Sequence, residues 1–285
     1  MKEKETNMRL KRWMAVCTAM VTAVSLAACG NAKTNDTDKS TRDNTTETAS
    51  ETTQTGGTVT IAAAASLEKV FEEQLIPMFN EMYPDVKVEG TYDSSGKLQT
   101  QIEEGADVDI FFSAATKQMD ALKDEGMMDD ESIVDMLENK IVLIVPHGEE
   151  GYSKFEDIVN AQSVAIGDPE SVPAGQYGKE ALTNLDLWDQ VEGKLSLGTN
   201  VTEVLNWVAA SSAQAGIVYA TDAASMPDQV DVVAEAPEGS CTKVIYPVGM
   251  LKNAKNPEAA QALLAFLQTD KAANVFEAAG FTIAQ

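Results

Sequence analysis

From Thr58 onward the sequence alternates short β-branched runs with segments of helical spacing, and that alternation limits the fold more than any other feature. Thr58–Ala62 is strand-like, and Leu67, Val70, Phe71, Leu75, Met78 and Phe79 then recur at helical intervals. Further strands are expected at 85–90, 109–113, 140–146, 163–166, 215–219, 230–234 and 243–251. Helices are expected at 96–104, 117–124, 155–159, 174–185, 202–210, 257–269 and 271–279, with a helix or turn at 130–138. Strand–helix alternation predicts an α/β protein whose sheets are mainly parallel. The two long apolar strands, near 140–146 and 243–251, are natural crossover points between two lobes.

The preceding residues obey a different rule. Residues 30–57 contain no Leu, Ile, Val, Met or aromatic residue. Such a stretch cannot bury enough apolar surface to fold, and it reads as a tether with a reach of roughly 30 Å. Before it, basic residues ending in Lys11-Arg12 precede the apolar run 14–28, which is too short to span a bilayer. Residues 1–28 therefore read as a secretory signal. The run ends Leu26-Ala27-Ala28-Cys29-Gly30, which resembles a lipoprotein lipobox. That resemblance implies a diacylglycerol-modified Cys29 at the mature N-terminus, and the plainer alternative is an ordinary signal peptide. The expected address is the extracytoplasmic face of the cell membrane, held by lipid.

Charge and composition remove several function classes. The chain carries 21 Lys and Arg against 45 Asp and Glu, a formal charge of −24. Removing residues 1–28 leaves 16 basic and 43 acidic residues, or −27. Nucleic-acid binding is not expected, since phosphate contacts need cationic side chains. A single histidine, His147, cannot build a multi-histidine zinc site. Of three cysteines, Cys17 leaves with the signal and Cys29 takes lipid, so Cys241 has no intrachain partner.

Four segments share one design, in which a strand or turn delivers the chain to a helix start: 62–67 (AAAASL), 93–98 (DSSGKL), 167–175 (GDPESVPAG) and 198–204 (GTNVTEV). A helix N-terminus presents unpaired N–H groups and a partial positive charge, so it suits an anion. Ala, Gly and Ser let the anion reach the backbone, and Ser66 and Ser95 add hydroxyls. Taken singly, each segment also fits ordinary helix capping. Ser66 fits an N-cap, and Asn200 with Glu203 fits a capping box.

Several blocks resemble the periplasmic molybdate-binding proteins of ABC importers across nearly all of 58–285: AAASL at 63–67, SSGKL at 94–98, QIEEGADVDIFFSA at 101–114, GDPESVPAGQYGKEAL at 167–182, LDLWD at 185–189, GIVYATDA at 216–223 and AAGFTI at 278–283. The resemblance implies a two-lobed type II periplasmic-binding-protein fold with its ligand cleft between the lobes. Lobe 1 would span 58–141 and 245–285, and lobe 2 142–244. It also implies a molybdate or tungstate dianion, with molybdenum present only as that oxyanion and no cofactor. Ser66 and Ser95 would give hydroxyl and N–H donors, Ala174 and Val201 backbone N–H groups, and Tyr219 its phenol. An ABC permease would be the partner of a monomeric binding protein. One departure is local: Ala115-Thr116 stands where the family has an acidic residue after FFSA.

The remaining candidates read as structural. His147 is expected at the surface or hinge, Asp107 and Asp109 as solvated residues leading a strand, and Asp168 as a turn former. Lys97 is expected on a solvated helix face, Trp188 and Trp207 in packing, and Cys241 as inert. A serine hydrolase using Ser66 or Ser95 would need a nucleophile elbow and a usable histidine, and the chain has no G-x-S-x-G. A binding protein for another tetrahedral anion, such as sulfate, is the nearer alternative. About seven hydrogen bonds to a charged group, at 1.5–3 kcal/mol each, give on the order of 10–20 kcal/mol gross. Association and closure cost roughly 4–15 kcal/mol, so capture without any Lys or Arg is feasible.

Overall fold

The computed structural model describes residues 56–284; the signal, Cys29 and nearly all of the tether lie outside the described residues. The chain enters in β1 (Gly57–Ala64), tightens into a 3₁₀ turn (Ala65–Leu67), runs through α1 (Glu68–Val70) and α2 (Ile76–Met82), and returns in β2 (Val86–Asp93). α3 (Ser95–Glu103), β3 (Ile110–Phe112), α4 (Thr116–Asp124) and β4 (Val134–Asn139) follow. Then come β5 (Ile141–Pro146), β6 (Val164–Gly167), α5 (Pro173–Asn184), α6 (Trp188–Val191) and β7 (Leu195–Gly198). α7 (Val201–Ala209), β8 (Ala215–Tyr219), α8 (Ala220–Ala224) and β9 (Val230–Glu235) complete this part. β10 (Val244–Met250), α9 (Pro257–Leu267), α10 (Asp270–Ala278) and β11 (Thr282–Ile283) come last.

These strands form two sheets, ordered β11-β4-β10-β3-β1-β2 and β7-β6-β8-β5-β9. The chain passes between them twice, at Lys140 and across 236–243. The fold is α/β and two-lobed, as expected, but each sheet is mixed rather than mainly parallel. β1 runs parallel to β2 and β3, and β6 parallel to β7 and β8. The returning strands β10 and β5 insert antiparallel between their neighbours. A strand that enters a sheet from the other lobe has no crossover helix to turn it round, so it runs opposite to the βαβ units.

Period-two burial places the first sheet between two apolar layers. Ala62 and Phe111 face Leu98, Ile102, Met119 and Leu122 of α3 and α4. On the other face Phe112 and Phe276 each meet Phe71 edge-on, with ring centroids 6.0 and 6.3 Å away. Aromatic edge-to-face pairs of this kind add to the area they bury, which compensates for the low aromatic content.

Three local expectations are corrected. Residues 130–138 hold a short 3₁₀ turn (Asp130–Ser132) and then β4, because β10 and β11 pair with that segment. Asp109 is buried rather than solvated: its carboxylate accepts the Thr60 N–H at 2.8 Å and the Lys255 N–H at 2.6 Å, tying β1 to the loop before α9. Asp107 beside it is exposed and pairs with Lys255. Ser66 lies inside the 3₁₀ turn and caps nothing.

Candidate functional site

Four helical starts converge where the parallel strands end. β1 leads into the turn holding Ser66, and β2 leads into α3, which opens at Ser95 with Ser94 as N-cap. β6 leads into α5, whose second residue is Ala174, and β7 leads into α7, which opens at Val201. β8 ends at Tyr219. All five sequence-predicted residues, Ser66, Ser95, Ala174, Val201 and Tyr219, line one small cavity of ≈ 10 Å³, room for about one water. Ala64, Ala65, Asp93, Ser94, Ala114, Val172 and Pro173 complete its wall. Ser95, Ala174, Val201 and Tyr219 are buried, and Ser66 is half-buried.

The donors arise from local geometry. Ser95 and Val201 open their helices, so their N–H groups have no intrahelical acceptor, and Pro173 makes Ala174 the first residue of α5 with an N–H to offer. Asn200 caps α7 by accepting the Glu203 N–H at 2.9 Å. The Glu203 carboxylate reaches back to the Thr199 N–H at 2.6 Å, one residue before the cap, so the expected box is displaced by one position. Ser95 Oγ accepts the Ala114 N–H at 2.9 Å, which leaves its proton free to donate inward. Burial holds the Tyr219 phenol well above its ordinary range, so it stays a donor; it meets the Ala114 carbonyl at 3.3 Å.

Two glycines permit the convergence. A Cβ on Gly96 would lie 2.4 Å from the Ser171 carbonyl oxygen, which accepts the Gly96 N–H at 3.0 Å and joins α3 to the loop before α5. A Cβ on Gly175 would lie 1.9 Å from the Gly167 carbonyl oxygen, so only glycine lets α5 press onto the end of β6.

Sequence reasoning missed Asp93 as a wall residue, although 93–98 was singled out. Its Oδ1 takes the Ser94 N–H at 2.8 Å and the Asn200 amide at 3.3 Å, and Lys97 pairs with it at 3.3 Å. The i, i+4 spacing of Asp93 and Lys97 is the signal that could have found it. Lys97 is therefore tied to this carboxylate rather than free on a solvated face. A charge so engaged does little to repel an anion and holds the α3 and α7 starts together. Gln118 and Gln176 bridge α4 and α5 at 3.3 Å. Ala115, the departure from the family pattern, is the N-cap of α4 and gives it no side-chain cap; Ser113 Oγ accepts the Ala115 N–H at 3.2 Å instead.

The residues read as structural are placed accordingly. His147 is exposed and meets Asp231 at 2.9 Å. Asp168 accepts the Glu170 N–H at 3.0 Å inside its turn. Trp188 carries Lys179 over its ring at 4.7 Å, and Trp207 packs against the core. Burial and Glu180 raise the Cys241 thiol, which disfavours the reactive thiolate. A larger groove of ≈ 540 Å³ shares Ser66 but is walled by Glu68, Glu72, Glu73 and Asp222.

The match to known proteins spans nearly all of the described residues. A model of the bacterial extracellular solute-binding proteins matches residues 59–282. The chain belongs to that family. Within it the chain is 36% identical over 230 residues to the molybdate-binding protein ModA of Haemophilus influenzae, covering 79% of this chain and 89% of that protein. It is 39% identical over 226 residues to YvgL of Bacillus subtilis, provisionally named an ABC transporter substrate-binding lipoprotein, covering 79% of this chain and 86% of the other. The Azotobacter vinelandii periplasmic molybdate-binding protein superposes with a TM-score of 0.68 at 22% identity, covering 80% of this chain and all of that one, and so shares the fold. Relatives of this kind make the chain a substrate-binding component of ABC transporters.

Proposed function

We propose that this protein binds molybdate, or its homologue tungstate, and delivers it to an ABC permease. The carrying observation is one cavity that gathers uncharged donors from four helical starts and a protonated phenol, with its single carboxylate already engaged. Ser66 and Ser95 supply hydroxyls and N–H groups, Ala174 and Val201 supply N–H groups, and Tyr219 its O–H. Neutral donors suit a fully deprotonated oxyanion, since a protonated one brings an O–H that needs an acceptor. The ≈ 10 Å³ of room is less than a four-oxygen anion needs, so uptake requires the lobes to part and the Tyr219 hydroxyl to leave the Ala114 carbonyl. Closure then repeats these contacts around the anion, which stabilises the closed form by interactions it alone offers.

In this reading 58–141 with 245–285 forms lobe 1 and 142–244 forms lobe 2; the crossings at Lys140 and 236–243 support that division. The chain acts as a monomer on the outer face of the membrane, anchored through Cys29, and the name of the B. subtilis relative supports the anchor. Calorimetry with molybdate, tungstate, sulfate and phosphate tests the ligand. Molybdate should bind at micromolar concentration or tighter and well ahead of sulfate; equal affinity for sulfate would make this a general tetrahedral-anion carrier.

A further inference from the structure

The two site serines differ in what occupies their acceptor side. For Ser95 it is a backbone N–H, from Ala114 at 2.9 Å. For Ser66 it is a side chain: the Tyr246 hydroxyl lies 3.0 Å from Ser66 Oγ, and either oxygen can donate. The neighbours of Tyr246 favour one direction. Asn139 Nδ2 lies 3.3 Å from the Tyr246 hydroxyl and 2.9 Å from Thr221 Oγ1. Which end of the Asn139 amide is nitrogen is fixed by its other end, which accepts the Lys140 N–H at 2.8 Å. Asn139 therefore donates to Tyr246 and fills one of its acceptor positions, which favours the arrangement in which the Tyr246 proton goes to Ser66 Oγ. With that oxygen accepting, the Ser66 proton is left to donate elsewhere.

Building on the anion-site reading above, we propose that Tyr246 and Asn139 are positioning residues that fix Ser66 as a hydrogen-bond donor to the anion and deny it to protonated anions. Tyr246 is fully buried. Its ring is held edge-on by Tyr219 at 5.5 Å and Phe281 at 5.4 Å, so the hydroxyl cannot swing away. Asn139 ends β4, one residue before the crossing at Lys140, and its amide spans β10 of the first sheet and α8, which follows β8 of the second. The relay is thus assembled at the joint between the sheets. Once Tyr246 loses its hydroxyl, Ser66 Oγ has a free acceptor side and can take the proton of a hydrogen-phosphate ion.

A double-mutant cycle read by calorimetry at pH 8 tests this, with molybdate and inorganic phosphate as probes and Ser95→Ala as the site control. Tyr246→Phe keeps the ring and should weaken molybdate about three- to tenfold. It should add almost no further loss in a Ser66→Ala background, and the ratio of molybdate to phosphate affinity should fall. Asn139→Ala should move both readouts the same way by a smaller factor, and it stands in if Tyr246→Phe does not fold. An equal loss from Tyr246→Phe with and without Ser66, or an unchanged anion ratio, would reduce the relay to packing. If the wild-type protein ignores molybdate, or Ser95→Ala has no effect, the anion site falls and the relay with it. If Ser95→Ala weakens binding while Tyr246→Phe stays uncoupled from Ser66, only the relay falls.

Discussion

Two hollows share Ser66 and differ in almost everything else. The larger, ≈ 540 Å³, is walled by Glu68, Glu72, Glu73 and Asp222. The smaller, ≈ 10 Å³, is walled by alanines, serines and helix starts. Size favours the first and chemistry the second. In a chain of formal charge −24 the long-range field repels an anion, so affinity has to come from short-range donors in a dry pocket. The larger groove also holds donors, Lys69, Gln74 and Thr221 among them, but sets them beside Glu68, Glu72 and Glu73, which oppose an anion. On the proposed reading the anion goes to the hollow with matched polarity, even though its volume is the smaller by far.

The largest expected effect that separates the two is Ser95→Ala, which removes a donor from the small cavity alone. Molybdate affinity should drop by about 10–100-fold, the worth of one hydrogen bond to a charged group, with a modest fall in melting temperature because the buried Ala114 N–H loses its acceptor. Tyr219→Phe should cost about tenfold by the same calorimetric titration, because the ring stays and only the O–H is lost. Gly96→Ala should weaken binding several-fold by pushing α3 away from the Ser171 carbonyl, and small-angle scattering should show a more open particle with ligand present.

Asp222 tests the groove side. Burial raises its carboxyl to about 7, although the backbone N–H groups of Tyr219 and Asp222 pull the other way, and its Oδ2 has no partner. The folded state holds this proton where the unfolded chain has released it. Its contribution to stability is therefore complete below about pH 4 and is lost as pH rises through 7. Asp222→Asn should gain on the wild type between pH 4 and 7 in denaturant melts, and the gap should level off above 7. A gap that shrinks with rising pH would contradict the assignment. The smallest effect is Glu73→Gln in the groove, which should change molybdate affinity less than twofold.

Much of this was legible in the sequence because it was local. Alternating runs gave β1, β5, β8 and α5, and the small residues before Ser66, Ser95, Ala174 and Val201 marked the helix starts. What was not legible depended on partners far along the chain. β4 lacks a clear strand pattern of its own and exists because β10 and β11 flank it. β7 is only four residues long and is an edge strand held by β6. Asp109 looked solvated until Thr60 and Lys255 came to it from 49 and 146 residues away. The hydroxyl of Ser66 likewise meets that of Tyr246, 180 residues on. No composition or period encodes such meetings. The convergence of the four starts is implied by the family resemblance alone, and the fold gives it physical form in one shared cavity.

Where the anion sits decides between the two hollows. Anomalous diffraction at the molybdenum edge, from crystals grown with molybdate, measures it directly. The account predicts one peak per chain, within hydrogen-bonding distance of Ser66, Ser95, Ala174, Val201 and Tyr219 through an intervening oxygen. A peak in the groove beside Glu72 and Asp222, or no peak at all at saturating molybdate, would contradict it.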